Sequence, residues 1–169
     1  MSVVRFPSRH RGAERPASSE ALVIDRRPVN DAADWQQDIR AECRRLRALS
    51  PSVFAYLKTT GLLFRCTFLA SEGRGQPLLF RYIGAPTLAF LGRSWARQQL
   101  GKPDMEDPHH TLAEGVGAQY HEAIDGAEAV FNQVIITGLS AAPKVYTHLL
   151  VGWQDGTGRR ALLSCLDAA

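Results

Sequence analysis

The 169-residue chain predicts an α+β domain built around an antiparallel sheet, and three observations carry that prediction. Two apolar runs of period two, Leu62–Leu69 and Pro77–Ile83, are joined by the turn text SEGRGQ. One long amphipathic stretch, from Asp107 to about Ile124, follows them after a short helix and a turn-rich segment. Three more strand-like runs then close the chain: Ala129–Thr137, Val145–Trp153 and Arg160–Leu166. Asp155-Gly156 between the last two is a strong hairpin signal.

Composition sets the frame. Hydrophobic residues make up 45% and charged residues 22%, the balance of a globular domain with one core. The length fits one domain with extensions. No apolar run approaches the roughly 18–20 residues of a membrane span, so no membrane contact is expected. The opening MSVVRFPSRHRGAERP has arginines with no continuous apolar segment behind them, so no secretory signal is read and the expected location is the cytoplasm. Cys43, Cys66 and Cys165 are odd in number and form no CxxC pair, which argues against a disulfide framework or a zinc ribbon. They read as small buried hydrophobes, and no metal site is expected.

The net charge of +3 is unevenly spread. Residues 51–102 carry Lys58, Arg65, Arg74, Arg81, Arg93, Arg97 and Lys102 against Glu72, whereas residues 103–169 carry Lys144, Arg159 and Arg160 against nine carboxylates. Such a two-toned surface promotes self-association or steers a charged partner. It lacks the dense basic face that nucleic acid requires, so nucleic-acid binding is not expected.

Residues 1–30 are rich in Arg, Ser, Pro and Glu and read as a flexible tail, with some order around Ala21–Ile24. In residues 31–49, Trp35, Ile39, Cys43, Leu46 and Leu49 fall on one helical stripe. Asn30 or Asp31 caps its start. Two readings stand for this helix. Its stripe packs on its own domain, or Trp35, Ile39 and Leu46 form the interface of a homodimer. Ser50-Pro51 resets the chain into a second short helix, PSVFAYLKTT, which ends at Gly61.

The strand Leu62–Leu69 places Phe64, Cys66 and Phe68 on one face, with Arg65 and Thr67 on the other. After the second strand, Gly84 leads into a helix over Pro86–Leu91 closed by Gly92. Residues 93–106 read as short turns. The long helix carries Leu112, Val116, Tyr120 and Ile124 on its stripe. Gly115 and Gly117 weaken it by roughly 1 kcal/mol each against alanine, and imply close packing over the sheet or a helix that moves.

The succession of two strands, a helical middle ending in one long helix and three returning strands resembles a PAS domain. FRYIG (Phe80–Gly84), LGR (Leu91–Arg93), Gly101, Tyr120 and Gly126 also resemble a bacterial PAS-like family of short, often stand-alone proteins. The resemblance covers about residues 60–166. It divides the chain into a tail (1–30), an N-terminal helical extension (31–60) and a PAS-like domain (61–169). It implies a five-stranded antiparallel sheet of order 2-1-5-4-3, counting these strands along the chain, with the helices on one face. Cys66 and Cys165 then lie on adjacent strands. It further implies a ligand pocket between the sheet and the long helix, lined by Phe90, Tyr120, Ile124, Val134, His148 and Leu150. WARQQLGKPDMED departs from the family pattern.

Catalytic chemistry has no sequence support: GxSxG, HExxH, the P-loop and a strand-linked GxGxxG are all absent. Flavin-binding PAS relatives place a reactive cysteine in an NCRFLQ-like helix, which this chain lacks. Haem-binding relatives use a histidine of the long helix, for which His121 is the candidate, but haem is not expected and the cofactor stays unknown. His109 and His110 read as a solvated cap, and His148 as a hydrogen-bonded core histidine that could touch a ligand.

The expectation is therefore a non-catalytic PAS-like sensory domain that binds a small ligand or a protein partner, passes its output in trans and forms a homodimer. The alternative is a cone-shaped α+β pocket enzyme resembling the nuclear transport factor 2 group, whose strands come mostly after three helices. A third reading, a nucleic-acid adaptor using the arginines at 40–47, would show steep salt dependence.

Overall fold

The structure, a computed structural model, describes residues 20–46 and 49–168, with the backbone alone described at Leu46. Among these residues, six strands form one antiparallel sheet: β1 (Ala21–Arg26), β2 (Cys66–Ala70), β3 (Leu79–Tyr82), β4 (Val130–Thr137), β5 (Lys144–Gln154) and β6 (Arg160–Ala168). Their order across the sheet is β1-β4-β5-β6-β2-β3. The last strand thus lies between β5 and the first strand of the leading hairpin, and Cys66 stands directly opposite Cys165.

The sixth strand corrects the expected count of five. Residues 21–26 belong to the stretch read as a flexible tail, yet all six pair with β4, from Ala21↔Thr137 to Arg26↔Asn132. Local text could not announce this strand, because its partner lies more than a hundred residues away and its apolar alternation covers only Leu22 and Ile24. Those two side chains pack against the long helix, where Gly115 leaves room for Leu22. The remainder of the tail, residues 1–19, lies outside the described residues.

Among the described residues, five helices cover the sheet: α1 (Asp34–Leu46), α2 (Pro51–Thr59), α3 (Ala85–Leu91), α4 (Arg93–Gln99) and α5 (His110–Asp125). They lie on both faces, α1 and α2 of the N-terminal extension on one and α3 to α5 on the other. Ile39, Cys43, Val53 and Leu57 from α1 and α2 bury Cys66, Phe68, Phe131, Leu149, Leu163 and Cys165. Alternate residues of the same strands face the other way: Val134, Ile136, Tyr146 and Leu166 meet Leu112 and Val116 of α5, while Leu150 and Leu162 meet Ile124, Trp95 and Phe80. This alternation follows from the period of two in each strand.

Two local expectations also change. Leu63–Arg65 is a 3-10 turn before β2, so Phe64 leaves the predicted buried face and is 51% exposed. Residues 93–99 are helical, because Trp95, Ala96 and Gln99 all turn inward from one side of α4. That stripe spans only two turns and is too short to stand out as a period. At the end of α5 the helix backbone rests on the sheet. A Cβ at Gly152 would stand 2.5 Å from both N and Cα of Ile124. No helix among the described residues is long and apolar enough to cross a membrane.

Candidate functional site

A cavity of about 50 Å³ lies between the sheet and the layer formed by α3, α4 and α5. Its sheet side carries Thr67, Tyr146, His148, Ser164 and Leu166, and its helix side carries Phe90, Trp95, Val116 and Tyr120. Asp104 and Asp107, in the turns leading to α5, line it as well.

His148 sits on the cavity side because Tyr146, His148 and Leu150 share one face of β5. It is 1% exposed. Register places three polar residues in one row across the sheet: Arg26 opposite Asn132, and Asn132 opposite His148. Arg26 Nε donates to Asn132 Oδ1 at 2.7 Å. A guanidinium only donates, so the asparagine oxygen must face it and the amide nitrogen must face away. Asn132 Nδ2 accordingly donates to Gln119 Oε1 at 3.2 Å and to His148 Nε2 at 3.0 Å. The row ends at the surface, where Arg26 donates to Gln119 Oε1 and to both oxygens of Glu122 at 2.7–2.8 Å. With Nε2 accepting, the imidazole is neutral and its proton resides on Nδ1. Burial, with the nearby Arg26 charge adding to it, pushes the His148 pKa down to about 3.

The far end of the cavity is acidic. Asp107 Oδ2 accepts from Trp95 Nε1 at 3.0 Å, and its Oδ1 accepts from the His109 backbone N–H at 2.8 Å. Asp104 is buried, and its Oδ2 has no hydrogen-bond partner among the described residues. Burial raises its carboxyl above the usual range. Burial likewise raises the hydroxyls of Tyr120 and Tyr146. At the opposite rim the Thr67 and Thr87 hydroxyls lie 2.9 Å apart, and Thr67 Oγ1 accepts from the Gly84 N–H at 3.0 Å.

Of the six residues expected to line a pocket, Phe90, Tyr120 and His148 do so. Ile124, Val134 and Leu150 are buried in the same layer but pack solidly around the cavity instead of facing it. The spacing of apolar residues identified the layer, yet it could not separate wall from filling. Asp104, Asp107, Trp95, Thr67 and Ser164 were missed as lining residues. In the sequence Asp107 marks only a helix start, and nothing in local text distinguishes Asp104 from a surface acid.

The histidines divide cleanly. His121 is exposed, with its Nδ1 3.2 Å from Arg160 Nη1, so it does not enter the cavity. His109 pairs with Glu20 at 2.8 Å beside the start of α5. Among the described residues, no group of three or more His, Cys, Asp or Glu side chains is placed to hold a metal ion.

The stripe of α1 is taken up within its own chain. Ile39 is 0% exposed, and Trp35 packs at the edge of the same cluster with the Arg65 guanidinium 5.0 Å above its ring. Ile39 is thus buried against its own sheet, whereas Trp35 keeps part of its surface exposed. The side chain of Leu46, the third residue of that set, lies outside the described residues.

Chemically the site is suited to binding. Its one imidazole is held neutral with Nε2 already bonded, which makes it a weak base, and no hydroxyl or thiol is hydrogen-bonded to it as a nucleophile would be among the described residues. Comparison with protein-family models, curated proteins and solved structures gives no match.

Proposed function

We propose that this chain is a non-catalytic PAS-like sensory domain, whose helix–sheet cavity takes a small ligand and whose output passes to a protein partner in trans. The observation that carries the reading is the strand order joined to the position of the cavity. Leaving β1 aside as an addition at one edge, the neighbours β3-β2-β6-β5-β4 support the order that the PAS resemblance implies. Helices α3 to α5, inserted between β3 and β4, cover one face of that sheet with the cavity beneath them.

The cavity is far below the roughly 300 Å³ at which drug-sized sites begin, so its ligand is very small or enters as α5 lifts. Occupancy would then be transmitted through α5, whose Gln119 and Glu122 hold Arg26 of the edge strand. A ligand that moves the helix therefore also moves β1, the edge strand of the sheet among the described residues, to which a partner strand could add.

The test is native mass spectrometry of the purified chain, with an absorbance spectrum from about 300 to 600 nm, followed by a thermal-shift screen of small metabolites. A co-purifying ligand or a saturable stabilisation is expected. Turnover of a substrate at this cavity, or no response to any small molecule together with no specific partner, would overturn the reading.

A further inference from the structure

The cavity contains one acceptor with nothing to accept. Asp104 is 7% exposed, and its Oδ2 is buried without a hydrogen-bond partner among the described residues. The backbone N–H of Asp104 donates to Leu78 O at 3.0 Å, which fixes the turn that carries the carboxyl group. Buried carboxylate oxygens are normally satisfied, so an orphan one calls for a donor.

The chain's own cations do not supply it. Arg160 and His121 are near enough to oppose the effect of burial on the Asp104 carboxyl, but Arg160 is bonded to Gln76 O at 2.7 Å and to His121, and neither residue reaches Oδ2. Lys144 lies 4.7 Å from the Phe90 ring but does not line the cavity. Across from Asp104 the α5 backbone comes close at Gly117, where a Cβ would stand 3.1 Å from Met105 Sδ and 3.8 Å from Asp104 Oδ2.

The remaining walls mix aromatic rings with aliphatic side chains such as Leu112, Val116 and Leu166 and with the polar Thr67, His148 and Ser164. Trp95 meets Phe80 edge-on at 5.6 Å, and Tyr146 meets Phe90 edge-on at 4.8 Å, with Tyr120 on α5 beside them. A carboxylate in aromatic surroundings selects a compact cation that donates hydrogen bonds, because the ring quadrupoles and the acceptor favour the same charge. An anion would meet Asp104 and Asp107 together, and a neutral alcohol would leave the carboxylate charge uncompensated.

We infer that the cavity takes a compact alkylammonium ion, with Asp104 Oδ2 as its acceptor and the aromatic rings as its enclosure. This rests on the reading above that the cavity holds a ligand. Scaled against the cavity of about 150 Å³ that accepts benzene, the available 50 Å³ limits the ion to about two or three heavy atoms.

The test is NMR titration of the intact chain with methylammonium or ethylammonium chloride, following the Trp95 indole N–H and the Gly117 amide. Ethanol, sodium acetate and sodium chloride serve as matched controls. Saturable shifts with the ammonium ions, binding about tenfold or more tighter than ethanol, are expected, and Asp104→Asn should abolish the difference. The comparison of ammonium ion with ethanol is made on the native chain, so the test stands even if Asp104→Asn fails to fold. Equal responses to ammonium ion and ethanol, unchanged binding in Asp104→Asn, or an ordered water as the sole occupant would overturn the inference. Saturable binding of acetate or ethanol alone would overturn the amine class while leaving a ligand cavity. Silence at both resonances with every small molecule would count against both.

Discussion

The amide of Asn132 donates to Nε2 of His148 at 3.0 Å inside the sheet, and Arg26 fixes the direction of that bond from the other side of the asparagine. The pair holds the imidazole neutral, with Nε2 taken by an amide donor in a fully buried position. This makes His148 a site at which pH acts on the fold.

In the folded chain the His148 pKa lies near 3, against about 6.5 for an ordinary histidine. The unfolded chain therefore binds the proton first as pH falls. The stability tied to this site is whole above about pH 6.5 and declines toward pH 3, by about 1.4 kcal/mol per pH unit in the middle of that window. Urea unfolding from pH 7 to pH 4 should show this slope, and His148→Gln should flatten it by about that amount. Parallel pH profiles for the two proteins would show that the neutral imidazole does not couple to folding.

Arg26 has two kinds of partner that should weigh differently. Its bond to the fully buried Asn132 satisfies an acceptor that water cannot reach, whereas its ion pair with Glu122 is about half-exposed on both sides. Arg26→Ala should therefore destabilise by about 1–3 kcal/mol, mostly by orphaning Asn132 Oδ1. Glu122→Gln should cost at most about 1 kcal/mol and less at high salt. Hydrogen exchange along β4 should quicken in the first variant alone. An equal loss in both would locate the effect in the exposed pair.

Gly152 is where the backbone of α5 comes directly against the sheet. Alanine there would place its Cβ 2.5 Å from backbone atoms of Ile124, where no rotamer change relieves the contact. Gly152→Ala should cost about 1–3 kcal/mol in urea unfolding as the helix end is displaced. Gly156→Ala in the adjoining hairpin meets nothing within 4 Å and should stay within about 0.5 kcal/mol of the parent. Indistinguishable stabilities would mean that α5 does not press on the sheet at that point.

The elements legible in the chain were those whose period survives over several residues, and so β4, β5, β6 and α5 were read close to their observed bounds. Register across the sheet is a different kind of information. Arg26, Asn132 and His148 lie far apart along the chain, and no local pattern shows that they share one row. Edge strand β1 was obscured for the same reason, since its pairing with β4 supplies what its own short apolar run lacks. Asp104 was unreadable because its burial is decided by the turn before α5, through a backbone bond to Leu78. The N-terminal helix shows the converse: its stripe was plain, but whether it met its own sheet or a second chain depended on which sheet face lacked a cover.

The three cysteines form one buried cluster on the α1 side of the sheet, with Cys66 and Cys165 Sγ atoms 3.8 Å apart. They are free thiols, and burial pushes Cys43 up to about 12, with the neighbouring Cys66 adding to it. Burial also raises Cys165, helped by its contact with Cys66. Thiolate is the reacting form, so little of it exists at these two sites in the folded chain near pH 8. A water-soluble thiol reagent at that pH should leave all three unlabelled over minutes and label all three once denaturant is added. Sub-denaturing urea should raise the native labelling rate in step with the unfolded fraction, because access requires α1 to leave the sheet. Rapid stoichiometric labelling of any cysteine in the native protein would show that α1 does not seal this face.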